Sequence, residues 1–249
     1  VIDCILTSFN RFESICNALQ TDCVCQKTES NYMNETAIEI SNTDKPIGSV
    51  IWLHGLGADG NDFVPVVEML NLPQLRFVLP HAPYRKVTIN HGYEMRAWYD
   101  LFGLALGSHE DEAGIAATQA NIEQLIQREL DKDIPSHKIV IAGFSQGGAM
   151  ALHTALRYRQ PLAGVIALST YLPLKSHFST QKSAQNQQTP ILMAHGTMDE
   201  VISIETSRVS LSLLQAEHYP VEWHEYAMAH SVSMEEINDI RTFLLRIMH

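Results

Sequence analysis

The sequence predicts an α/β fold: a mostly parallel central sheet with helices on both of its faces. Three observations carry that expectation. From Ile47 onward, short apolar runs alternate with longer stretches of helical period, the pattern of strands joined through crossover helices. The apolar runs are unbroken rather than alternating, as strands covered on both sides require. Length is sufficient as well, since 249 residues are ample chain for a large buried core.

Each element follows in order. A strand at 49–53 opens the body, followed by a helix at 62–70 and a strand at 75–79. The long helix at 112–130 is marked by Ile115, Ile122, Leu125, Ile126 and Leu130, which recur on one face. A strand at 138–142 runs into a helix at 147–158, and a further strand spans 163–168. The segment 179–189 is polar and rich in Gln, so it reads as a surface loop. A strand at 191–194, a helix at 204–217, a strand at 221–226 and a helix at 234–247 complete the pattern. Pro135 and Pro190 sit before strands, where a missing backbone donor costs little. Neither a repeat nor a linker interrupts this body, so 33–249 is expected to be a single domain.

The first 32 residues differ in kind. Ile2, Ile5, Leu6, Phe9, Phe12, Ile15, Cys16 and Leu19 recur at roughly helical spacing, consistent with a short amphipathic helix. Asp3, Asn10, Arg11 and Glu13 break the unbroken apolar stretch a secretory signal needs. A single Arg against Asp3 and Glu13 in residues 1–20 also argues against an organellar presequence. Residues 1–32 therefore read as an extension outside the catalytic fold, with Met33 a natural start for the body.

The net charge is −11, which argues against nucleic acid or an anionic membrane surface as a bulk partner. No apolar run approaches the roughly 20 residues needed to span a bilayer, so no stable membrane insertion is expected. The four cysteines are Cys4, Cys16, Cys23 and Cys25, and Cys23-Val24-Cys25 lacks the two-residue gap usual in zinc pairs. They read as incidental thiols. A body free of cysteine fits a reducing, cytoplasmic setting and uses neither disulfide nor thiolate metal site.

Chemistry concentrates at Gly143-Phe144-Ser145-Gln146-Gly147-Gly148, which joins an apolar strand to a helical pattern. The bare triplet Gly-x-Ser-x-Gly arises by chance in roughly one chain in ten of this length, so its setting carries the weight. A serine on a sharp strand-to-helix turn projects its hydroxyl away from the sheet, and the crowding of that turn calls for glycine at positions −2 and +2. The new helix aims its first amides at the place where negative charge develops.

A serine hydroxyl needs a base, and the base needs an orienting acid. On such a sheet they follow in the order serine, acid, histidine. Asp199 lies beyond the strand at 191–194, where open α/β sheets place their sites. Glu200 is the competing carboxylate, and Asp199 is favoured. His230 lies on the loop after the strand at 221–226, from which it can swing over the serine. His54-Gly55-Leu56-Gly57 ends the first strand, and the amides of Leu56 and Gln146 are expected to form an oxyanion hole. His54 itself reads as a packing and hydrogen-bonding residue.

Beyond these residues the chain resembles the carboxylesterase and acyl-protein thioesterase group of α/β hydrolases, the phospholipase/carboxylesterase family. The resemblance runs from about Ile47 to the C-terminus. It rests on Leu53-His54-Gly55-Leu56-Gly57-Ala58-Asp59-Gly60, Pro80-His81-Ala82-Pro83, Ala97-Trp98-Tyr99-Asp100 and the segment around Ser145, in family order. Leu168-Ser169-Thr170-Tyr171-Leu172-Pro173 and the segments around Asp199 and His230 complete the set. The family pattern implies an α/β-hydrolase fold, Ser145 as nucleophile, His230 as base, Asp199 as its orienter, and Leu56 and Gln146 as oxyanion donors. Ala229 departs from it, since the family usually has Gly before the histidine.

Family members hydrolyse esters and thioesters of acyl chains, which implies an apolar groove near the serine. Trp98 and, after it, Leu101, Phe102, Leu104 and Leu106 are expected to line that groove. The implied substrate is a small acyl ester or thioester, a lysophospholipid or an acylated protein, with no metal and no organic cofactor. Activity is expected to rise across roughly pH 6–7 as the base becomes neutral. Three rivals share the fold. A lactone hydrolase usually carries cysteine where Ser145 stands, a peptidase needs an amine-recognition pocket, and a catalytically silent binding module has no use for an ordered triad.

Overall fold

A computed structural model describes residues 37–103 and 107–248; the extension expected at 1–32 lies outside the described residues. The central sheet has seven strands: β1 (Ile38–Ser41), β2 (Gly48–Leu53), β3 (Leu75–Leu79), β6 (Ile139–Phe144), β7 (Gly164–Leu168), β8 (Ile191–Gly196) and β9 (Val221–Tyr226). Their spatial order is β1-β3-β2-β6-β7-β8-β9. Only β1 runs antiparallel, with Ile38 opposite Leu79; every other pairing is parallel.

The unbroken apolar runs are explained by the two-residue period of a strand, which sends neighbouring side chains to opposite faces. Val50, Trp52, Val140, Ala142 and Phe144 share one core with α1 (Val64–Leu70) and α6 (Met234–Ile247). Ile51, Leu53, Ile139 and Ile141 share the other core with α2 (Glu112–Leu130), α3 (Gln146–Ala155) and α5 (Ile204–Ala216). In α2 the buried stripe is Ile115, Ile122, Leu125 and Ile126, and Asp111 caps its start by accepting from the Gly114 amide. Each sheet face is thus covered by helices.

Four elements escape the sequence reading. Strand β1 is short and alternates, Ile-Glu-Ile-Ser, with only its isoleucines turned inward. The hairpin β4 (Tyr84–Val87) and β5 (Tyr93–Arg96) forms a separate two-stranded sheet that is largely exposed and polar, so it lacks an apolar signature. Helix α4 (Lys175–Gln181) buries only Phe178.

The segment at 179–189 is more structured than the loop expected there. Its first residues finish α4, a 3-10 turn spans Ala184–Asn186, and Asn186 and Thr189 are buried. The Asn186 side chain donates to the carbonyls of Tyr158 and Gln160 and accepts from the Leu162 amide, at 2.8, 2.9 and 2.9 Å. A polar composition conceals this plug because its partners are backbone groups far away in sequence.

Topology places the site. From β2 the chain crosses to β3 on one side, and its return builds β6 on the other. The C-terminal ends of β2 and β6 therefore meet where the strand order reverses, the usual crevice of an open α/β sheet.

Candidate active site

Ser145 sits between β6 and α3 with φ 54° and ψ −122°. Such a backbone conformation is costly for a residue with a Cβ and persists only where its surroundings hold it. Here they do. The Ser145 amide donates to the Leu168 carbonyl at 2.9 Å, and its carbonyl accepts from the Thr170 hydroxyl at 2.7 Å and the Ala149 amide at 3.0 Å. Close packing dictates the flanking glycines. A Cβ on Gly143 would lie 2.3 Å from the Gly147 carbonyl carbon, and one on Gly147 would lie 2.3 Å from the Leu53 oxygen.

Asp199 lies just past β8 and His230 just past β9. These two loops are zipped by the Thr197 amide on the Tyr226 carbonyl at 2.8 Å and the Met198 amide on the Met228 carbonyl at 3.1 Å. The zipper brings His230 Nδ1 to 2.7 Å from Asp199 Oδ2. Asp199 Oδ1 accepts from the amides of Val201 and Ile202, both at 2.9 Å. The competing acid Glu200 is exposed.

Burial pushes the Asp199 carboxyl up. Hydrogen bonds from His195 and His230, the charge of His230 and the Ile202 amide outweigh that push and hold the group well below the usual carboxylate range. With Nδ1 committed to Asp199, the other nitrogen of His230 is the one left to take a proton. The His230 ring packs on Phe144, the residue before the serine, with centroids 4.7 Å apart. Ala229 keeps a negative φ and is exposed, so its methyl group imposes no left-handed strain.

Leu56 and Gln146 follow the adjacent strand ends of β2 and β6, and neither amide donates to another described residue. Both amides are unspent donors. His54 is fully buried; its Nε2 accepts from the Ala82 amide at 2.9 Å, and Nδ1 donates to the Gly55 carbonyl at 2.7 Å.

The residues expected to line an acyl groove separate. Trp98 and Leu101 are buried, and the Trp98 indole donates to the His54 carbonyl at 2.8 Å. Phe102 is 41% exposed and stacks on His109. Leu104 and Leu106 lie outside the described residues.

The sequence reading missed two supporting side chains. Thr170 holds the strained Ser145 carbonyl, and its only signal is a place in a quoted family segment. His195 is buried, with Nε2 3.3 Å from Asp199 Oδ2 and 2.8 Å from the Ile202 carbonyl, and Nδ1 2.7 Å from the Ser207 hydroxyl. Nothing in the sequence sets it apart from the other histidines.

A serine on a strained turn, an imidazole held by a carboxylate, and two unspent amides together suit acyl transfer. Known proteins agree. A family profile described as phospholipase/carboxylesterase matches residues 34–248. An acyl-protein thioesterase 1 of Neurospora crassa is 43% identical over 208 residues, 79% of this chain and 85% of that protein. One from Yarrowia lipolytica is 36% identical over 216 residues, 84% of this chain and 95% of that protein. The crystal structure of Arabidopsis thaliana SOBER1 superposes with a TM-score of 0.78 at 30% identity, covering 81% of this chain and 99% of that one. The chain belongs to the phospholipase/carboxylesterase family of hydrolases.

Proposed function

We propose that Ser145, His230 and Asp199 act as a catalytic triad, with the Leu56 and Gln146 amides as oxyanion donors. The chain is a hydrolase of carboxylic esters and thioesters of acyl chains, and the proposed steps are these. Ser145 Oγ attacks the acyl carbonyl while His230 takes its proton. The tetrahedral oxyanion is met by the two amides. His230 returns the proton to the departing alcohol or thiol, leaving an acyl-serine. Water then repeats the sequence in reverse roles and releases the acid. No metal or organic cofactor has a part in these steps.

The observation that carries this reading is the 2.7 Å contact of His230 Nδ1 with Asp199, beside a serine whose backbone is held in a disfavoured conformation. Ser145→Ala is expected to lower turnover by a factor on the order of 10⁴ or more and to abolish fluorophosphonate labelling. Near-native turnover in that variant rules out Ser145.

The substrate we infer is an acyl thioester on a protein, as the names of the relatives imply, with lysophospholipid esters as the comparison. Phe102, Met198 and Val201 are exposed apolar side chains; the latter two flank Asp199 and offer the acyl chain a surface. Steady-state rates on an S-acylated peptide, a lysophospholipid and a chain-length series of p-nitrophenyl esters decide among them. Among the described residues, no helix is long and apolar enough to cross a membrane. The cysteine-free body supports a cytoplasmic setting, which imaging of the tagged protein checks.

A further inference from the structure

The two amides assigned to the oxyanion hole belong to separate pieces of chain. Strands β2 and β6 pair only as far as Leu53 opposite Gly143, so Leu56 and Gln146 both lie beyond the ladder. Three buried side chains bridge the gap. Gln146 Oε1 accepts from the Trp98 amide at 2.9 Å, and Gln146 Nε2 donates to the Tyr99 carbonyl at 2.8 Å. The side-chain amide thus engages the backbone of residues 98 and 99, and each end meets its complement. Trp98 Nε1 then donates to the His54 carbonyl at 2.8 Å, one peptide unit from the residue preceding Leu56.

His54 closes the frame. Its ring spans the Ala82 amide and the Gly55 carbonyl and packs on Trp98 at 5.0 Å between centroids. Burial depresses its pKa to about 4, so the ring stays neutral and keeps the proton on Nδ1. On the far side of Leu56, the Gly57 amide donates to the Arg96 carbonyl at 2.8 Å. The Thr118 hydroxyl on the Trp98 carbonyl ties the frame to α2. The polar groups around Leu56 are therefore engaged, while its own N–H stays available.

We propose that the side chains of Gln146, Trp98 and His54 form a positioning clamp that sets the separation and direction of the two oxyanion amides. The proposal rests on the assignment of Leu56 and Gln146 as oxyanion donors. It gives Gln146 two separate duties: a main-chain N–H that meets the oxyanion, and a side chain that holds the partner donor in place. Removal of one oxyanion donor costs roughly 10²–10³ in turnover in comparable enzymes. A misplaced donor that remains present should cost less.

The test uses the full chain with Gln146→Met, which keeps length without either hydrogen bond, Trp98→Phe, which loses only the indole and its N–H, and the double variant. Turnover and KM on a short p-nitrophenyl ester are measured beside affinity for a trifluoromethyl ketone, whose serine adduct places an oxyanion between the two amides. Thermal unfolding runs in parallel. Each single variant is expected to lose about 10–100-fold in kcat with KM within about threefold. Ketone affinity should weaken by a similar factor, and the double variant should lose less than the product of the two.

Single variants with native kcat and native ketone affinity, whatever their melting temperatures, overturn the clamp, as do losses that multiply. Where Gln146→Met does not fold, Gln146→Asn, too short to bridge, takes its place under the same criteria. Ser145→Ala separates the two failures. A failed clamp leaves activity dependent on Ser145, whereas activity that survives Ser145→Ala removes the site assignment and the clamp with it.

Discussion

At the scale of single residues, the site depends on which atom each proton occupies. Asp199 Oδ1 is filled by two backbone amides, so the carboxylate cannot turn, and Oδ2 faces His230 Nδ1 at 2.7 Å with His195 Nε2 farther off at 3.3 Å. Asp199→Asn is expected to fold, because the Asn oxygen still accepts those amides. Its NH₂ group then faces His230 Nδ1, which must become an acceptor, and the histidine proton moves to the nitrogen that should act as base. A loss in kcat on the order of 10³–10⁴ follows. The check is kcat beside an unchanged circular dichroism spectrum; a loss below tenfold would contradict the assigned role. The place of Ser145 on a strand-to-helix turn, and of Asp199 and His230 just past strand ends, was legible in the sequence because strand ends and turn glycines leave local marks. Thr170 was not, because its hydroxyl acts on a carbonyl 25 positions away.

At the scale of elements, helix α6 carries a titration of its own. Ser233 caps its start by accepting from the Glu236 amide at 3.2 Å, the first half of a capping box. Glu236 is buried, which pushes its carboxyl up to about 8; the charge of Asp239 adds to the rise and the Ser233 amide opposes it. The folded chain therefore holds this proton where the unfolded chain, near 4.5, has released it. The proton's contribution to stability is full below about 4.5, declines as pH rises through the window, and is gone above about 8. Glu236→Gln should remove that decline and melt above the parent chain at pH 8–9. Equal melting curves from pH 5 to 9 for both chains would exclude the buried acid as the source. The strands buried on both faces and the long stripe of α2 were readable from composition. The β4–β5 hairpin and β1 were not, since a strand that is exposed or half-covered carries little apolar signal.

For the whole molecule, the first packed element among the described residues is β1, which joins one of the two cores. Ile38 and Ile40 pack on the core shared with α1 and α6, and the family match begins at residue 34. We propose that residues 1–32 lie outside a single catalytic domain. A chain starting at Met33 should keep native kcat and a melting temperature within about 2 °C, less than the shift expected from about 1 kcal/mol in a domain this size. A chain starting at Thr43 loses β1 and uncovers the edge of β3, so it should melt several degrees lower. Loss of activity in the Met33 chain would place the extension inside the functional unit.

By itself the sequence determined the fold class, the strand-to-helix turn and the kinds of residue the chemistry needs, because periodicity and turn glycines act over a few positions. Only the tertiary structure decided which carboxylate meets the histidine and that Trp98 faces the core. It also revealed the Gln146 side chain spanning two segments of chain. Those outcomes depend on strand order and on hydrogen bonds between distant backbone groups, and such pairings leave no periodic trace along the chain.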